Sequence, residues 1–324
     1  MARKVDIAKV QEGLVQAFKQ GDEAQARLLV AQLGSDPRQG RVVLDAMLKE
    51  PSGIVRQAAA FGLGELGGEA SIRRLEQQLA IEEARGDYDG EAVAEEISRA
   101  LGRIEDVRAR ESLMRRLERL TAAKQEYSDV YEIARALWKR RHADLLPAVK
   151  RSLERISLPA PHGLHGLLVL LEKSPADLGA WAQDPAVPVE YKTRALVVLA
   201  EDVPDTLIGI LPSFISMAHL WVETAVSQRG GPASFCESLF SLLIAHQERI
   251  LPALPEEARV KLRMIAQSLI AAVSLNCSIR AAVMLKLVGR PEDAVILEAA
   301  RPDDPTLAKV FTDAARALRS RQKN

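Results

Sequence analysis

Pro51-Ser52-Gly53-Ile54-Val55-Arg56-Gln57-Ala58-Ala59-Ala60-Phe61-Gly62-Leu63-Gly64-Glu65-Leu66-Gly67 is the stretch that decides the fold. Small residues stand where two helix backbones can approach closely, and Leu63 and Leu66 lie beside them to fill a core. A glycine after leucine either ends the helix at positive φ or lets a neighbour pack tightly. Residues 70–79 follow with Ile72, Leu75 and Leu79 on one helical face. The reading is therefore a helical hairpin, apolar on one side.

The same unit recurs downstream. Residues 91–104 repeat the order at Ala100, Leu101 and Gly102, and a second helix over 108–120 turns Leu113, Leu117 and Leu120 inward. A weaker copy has Ile133, Ala134, Ala136, Leu137 and Trp138, then Leu145, Val149, Leu153 and Ile156. The period is about 36 to 38 residues, the range of two-helix repeats. One hairpin cannot bury its stripe alone, so neighbours must stack. The run resembles HEAT repeats, particularly the bacterial HEAT-like class related to phycobilin lyases. Val55, Arg56, Ala59, Ala60, Leu63, Gly64, Leu66 and Gly67 carry that resemblance. It implies an all-α fold, an α-α superhelix of HEAT-like helical-repeat type, with second helices lining a concave face.

Outside these copies, helices are expected over 5–19, 22–33 and from Asp36-Pro37 through Leu48. Pro159 and Pro161 break the chain after Ile156, because proline disfavours helix at and before its own position. The second half reads as more divergent repeats, with helices over 206–229, 233–250 and 256–274, a HEAT-like run from Arg280 to Gly289, and a last helix opened by Asp304-Pro305. Two regions are expected, 1–156 and 157–324, continuous with one another.

Composition agrees. Of 324 residues, 48% are hydrophobic but only 4% aromatic, so Ala, Leu and Val supply the core and strand-forming residues are scarce. Lys plus Arg and Asp plus Glu both number 44, which argues against a whole-molecule polyanion binder. Cys236 and Cys277 are too few for a disulfide framework. The apolar runs are short and interrupted, as at Pro212, and the first residues lack an apolar signal segment, so the expected location is cytoplasmic without membrane insertion.

The candidate site is a basic ridge on second helices. Arg108, Arg115 and Arg119 share one side of the 108–120 helix, and Lys150, Arg151 and Arg155 fall outside the apolar stripe of the next. Residues 139–142 (Lys139, Arg140, Arg141, His142) sit in the turn between. Stacked as neighbours, these side chains would form a positive strip fit for an acidic peptide, a phosphate or a nucleic-acid backbone. The alternative is a solvated face balanced by Glu111, Glu118 and Glu154. An acidic stretch through Glu69, Glu76, Glu82, Glu83, Asp87, Asp89, Glu91, Glu95 and Glu96 flanks an expected long loop at 85–90 and gives either a dipolar surface or loop solubility. Trp221 is the more open of two tryptophan anchor candidates; Trp138 reads as core.

Other constellations fail. Asp87, Asp89 and Glu91 lack the glycine and glutamate register of a calcium loop. His162 and His165 read as two loop histidines without a third ligand. No phosphate-cradling loop, nucleophile elbow or paired Cys-x-x-Cys motif is present, and no motif implies a cofactor or metal. The expectation is a non-enzymatic protein-interaction scaffold with a protein or peptide partner. Nucleic-acid binding is the alternative, and a bilin lyase or isomerase activity stands third.

Overall fold

The computed structural model describes residues 7–123, 128–156 and 162–321. Residues 157–161 of the expected proline break, residues 5 and 6 of the first expected helix, and the leading residues read for a signal segment lie outside them. The chain divides into two compact units, 1–157 and 158–324. Among the described residues every regular element is helical.

The first unit contains α1 (Ile7–Lys19), α2 (Glu23–Leu33), α3 (Pro37–Met47), α4 (Gly53–Leu66), α5 (Gly68–Arg85), α6 (Tyr88–Arg103), α7 (Val107–Ala123), α8 (Ser128–Lys139) and α9 (Leu145–Arg155). Helices α4, α6 and α8 pack side by side in one layer, and α5, α7 and α9 in a second. The motif glycines explain the spacing. A Cβ at Gly64 would sit 2.8 Å from Ala100 Cα, and one at Gly102 would sit 3.0 Å from Ala136 Cα, so each glycine–alanine pair brings two first-layer backbones together. Gly67 does the other job: with φ of 61° it ends α4 as its N–H returns to the Leu63 carbonyl.

The expected loop at 85–90 is corrected. Helix α5 runs through Arg85 and α6 starts at Tyr88, leaving only Gly86 and Asp87 between them. Gly86 terminates α5 in the left-handed conformation, and the Asp87 carboxylate caps α6 by accepting from the Gly90 N–H. Asp89 reaches one repeat back and accepts from the Gly53 N–H at the start of α4, 3.1 Å away. The aspartates therefore serve helix ends.

The second unit contains α10 (Gly163–Glu172), α11 (Pro175–Gln183), α12 (Val189–Leu199), α13 (Asp205–Ile208), α14 (Leu211–Leu220), α15 (Val222–Ser227), α16 (Pro232–Ala245), α17 (Gln247–Ala253), α18 (Glu256–Leu269), α19 (Leu275–Val288), α20 (Ala294–Ala299) and α21 (Pro305–Ser320). Contacts run α10–α12–α16–α19–α21 in one layer and α11–α14–α18 in the other. The expected 206–229 helix is three helices, because Gly209 and Trp221 end segments that periodicity alone joins. Prolines 175, 232 and 305 occupy first turns, where the missing N–H costs nothing.

Candidate functional site

The expected basic ridge is found on the second layer of the first unit, but it is not a bare positive strip. Glu69, Glu76 and Glu83 recur every seventh residue on α5, two turns apart and on one face. Packed against them, α7 presents arginines at matching height. Arg108 Nη1 lies 2.6 Å from Glu69 Oε2, Arg115 Nη2 2.5 Å from Glu76 Oε1, and Arg119 Nη2 3.1 Å from Glu83 Oε2. On either side the pattern continues, with Arg74 of α5 2.9 Å from Asp45 of α3, and Arg151 of α9 3.2 Å from Glu118 of α7. In every rung the carboxylate comes from the earlier helix and the guanidinium from the later one.

The acidic stretch and the basic ridge are thus segregated in sequence and interleaved in space. No dipolar surface results along α5 and α7. The hydrogen bond from Arg108, and then its charge, hold the Glu69 carboxyl below the usual glutamate range, while Glu69 raises Arg108 in turn. Exposed pairs of this kind add little stability singly. Their effect is to fix long side chains: Arg108, Arg115, Arg119 and Arg151 keep 50–55% of their side-chain surface in solvent yet stand in defined positions. Lys150 and Arg155 are exposed on α9.

Trp221 lies in the second unit, between α14 and α15, and is half-buried. Its ring packs edge-on against Phe235 at 5.4 Å, and Lys192 Nζ sits 5.0 Å from its centroid. Lys192 is sealed from solvent and donates to the Asp184 carbonyl at 2.6 Å; burial lowers its pKa, opposed by the Asp184 charge. Trp138 is buried in the first unit, with Arg141 4.9 Å above its ring.

Two arginines are buried, Arg56 of the motif and Arg116, which sequence reading placed nowhere. Arg116 bonds Glu83 Oε1 at 2.9 Å, the Ala94 carbonyl at 3.1 Å and the Ser98 hydroxyl. Its signal was available: Leu113, Arg116, Leu117 and Leu120 keep the i, i+3, i+4, i+7 spacing of the inward stripe. Arg56 of the motif holds Glu82 through Nε at 2.7 Å and Nη2 at 3.1 Å, and donates to the Glu50 and Pro51 carbonyls.

His165 lies inside α10 and His162 is the residue that caps it. His162 Nδ1 accepts from the Leu164 N–H and His165 Nδ1 from the His162 N–H, so both close the N-terminus of α10. Cys236 and Cys277 are buried, and burial foremost pushes both thiols up, Cys277 to about 12, which suits packing and not nucleophilic attack. Among the described residues no group of three or more His, Cys, Asp or Glu could hold a metal ion, and no helix is long and apolar enough to cross a membrane.

The hairpin that holds Arg56 and Glu82 is where a family likeness falls. Residues 55–80 match the PBS lyase HEAT-like repeat. The match spans most of α4 and α5, so the HEAT-like repeat is carried by the same residues that form the Gly64 contact and the Gly67 turn. No curated protein matches the sequence. A solved structure of human deoxyhypusine hydroxylase in complex with glycerol is similar at 17% identity and a TM-score of 0.39, covering 98% of this chain and 96% of that one. That finding corrects the expectation of a non-enzymatic chain. The protein in that structure is an enzyme. The likeness assigns no activity here.

Proposed function

We propose that this HEAT-like protein binds a protein partner on the second-layer face of its first unit, with Arg108, Arg115, Arg119, Lys150, Arg151 and Arg155 as contact residues. The carrying observation is the rung geometry. Each of Arg108, Arg115, Arg119 and Arg151 has a carboxylate within 3.2 Å, so the face offers alternating signs at fixed positions. A polyanion gains from a continuous band of unopposed cations, which these glutamates interrupt. A folded partner with its own mixed charges gains from such a pattern, and half-exposed arginines held in place are favoured anchors of protein interfaces.

The test is capture by the immobilised full chain, comparing the natural sequence with Arg115→Glu combined with Arg151→Glu. Loss of one stoichiometric protein, with helicity unchanged, supports the reading; equal capture by both removes the face from consideration.

A further inference from the structure

The first layer of the first unit arranges its charges differently from the rungs. On α6, Glu96, Arg99 and Arg103 keep i, i+3 and i+7 spacing and so share one face. Each arginine joins a carboxylate of its own helix to one on a neighbouring helix. Arg103 Nη2 lies 2.6 Å from Glu96 Oε1, and its Nε lies 3.3 Å from Glu65 Oε1 of α4. Arg99 Nη1 lies 2.8 Å from Glu96 Oε2, and its Nε lies 3.1 Å from Glu132 Oε2 of α8. Glu65 is also 3.5 Å from Arg27 of α2. These six groups alternate in sign from α2 through α4 and α6 to α8.

The middle of the array is shielded. Glu96 keeps 3% and Arg103 15% of its side-chain surface in solvent, and Arg103 stands 4.6 Å over the Phe61 ring. Burial opposes the charge on Arg99, but the charges of Glu96 and Glu132 outweigh it and raise its pKa. Pairs closed off in this way are screened little by salt. Both oxygens of Glu96 are engaged, one by each arginine, so displacing either arginine leaves a buried carboxylate half unpaired.

We propose that this array couples the opening of α4 to that of α8, two helices separated in the layer by α6, so that the three yield as one block. A stack held by apolar contacts alone shares energy between adjacent repeats, and substitutions on non-adjacent helices then act independently. Here the loss of the Glu65 charge releases Arg103 and with it one hold on Glu96. Arg99 then loses the fixed carboxylate that sets it against Glu132. The coupling belongs to the first layer and does not rest on the rungs of α5 and α7.

The experiment is hydrogen exchange of the full chain, read by mass spectrometry on the α6 segment. It compares the natural sequence, Glu65→Gln, Glu132→Gln and the double variant. Glutamine keeps the size of glutamate and one acceptor oxygen while removing the charge. Each single substitution should speed α6 exchange by about threefold or more, and the double variant should fall about threefold or more short of the product of the two factors. Glu65→Gln combined with Glu298→Gln, whose partner Arg319 lies in the second unit, should reach the product. Should either glutamine variant lose helicity by circular dichroism, Glu65→Asp and Glu132→Asp, which keep the charge and shorten its reach, complete the same cycle. A double variant that equals or exceeds the product overturns the proposal, as do single substitutions that leave α6 exchange unchanged. So does an equal shortfall in the Glu298 control, which would make the effect unspecific.

Discussion

Arg56 and Glu82 form a two-point ion pair that is closed to solvent on both sides, the guanidinium 2% and the carboxylate 0% exposed. It ties α4 to α5 inside the hairpin that matches the HEAT-like repeat, and the remaining Arg56 donors hold the Glu50 and Pro51 carbonyls at the entry to α4. Gln78 adds a third hydrogen bond to Glu82 at 2.5 Å.

Removing one member of that pair strands the other charge in the core. Arg56→Ala or Glu82→Ala is expected to lower unfolding stability by about 3–5 kcal/mol, whereas Arg56→Met with Glu82→Leu should recover most of the loss. Urea denaturation of the three variants checks this. Equal, small losses in both single variants would show that the pair is hydrated.

Gly64 and Gly102 are close-approach positions. Gly64→Ala places its methyl against the Ala100 backbone and Cβ, and the cost expected from overpacking is about 1–3 kcal/mol. Gly21→Ala, where nothing lies within 4 Å but φ is +68°, tests backbone strain without crowding and should cost less. Thermal melts that rank the two in the opposite order would remove the close-packing explanation.

The leucines of the motif are sealed. Leu63→Asp or Leu101→Asp buries an unpaired carboxylate at a position with no solvent exposure, and should unfold the first unit locally by several kcal/mol. Retained helicity and an unchanged melting curve would break the repeat assignment.

His165 carries a pH dependence. Burial is the main cause lowering its pKa from 6.5, and Nδ1 accepts from the His162 N–H, which only the unprotonated nitrogen can do. In the folded chain the ring is a neutral acceptor, while the unfolded chain takes up a proton near 6.5, so more protons are bound on unfolding in the interval just below that value. Stability should accordingly fall as pH drops from 6.5 toward the lower folded value. Melting curves of the natural chain and of His165→Gln, which keeps an acceptor without titrating, should diverge over that window and coincide above it. Parallel curves throughout would refute the assignment.

Much of the fold was legible because it depends on short-range periodicity. Leu113, Leu117 and Leu120, each about one turn from the next, announce the inward face of α7, and Ala100, Leu101 and Gly102 mark the first-layer contact in three consecutive residues. The rungs were not legible, since Arg115 and Glu76 stand 39 residues apart and meet only once the register of two stacked helices is set. Their separation in sequence suggests opposed patches, and stacking turns those into pairs. Arg116 went unread, although its spacing matched the core stripe.

The central claim is that the first unit's second-layer face holds a protein. The most direct measurement is an affinity capture from native-host lysate, with and without nuclease, using the natural chain and the Arg115→Glu, Arg151→Glu variant. The account predicts a stoichiometric protein that survives nuclease and is lost in the variant at unchanged melting temperature. Recovery of nuclease-sensitive material alone, or capture unaltered by the two substitutions, would contradict it.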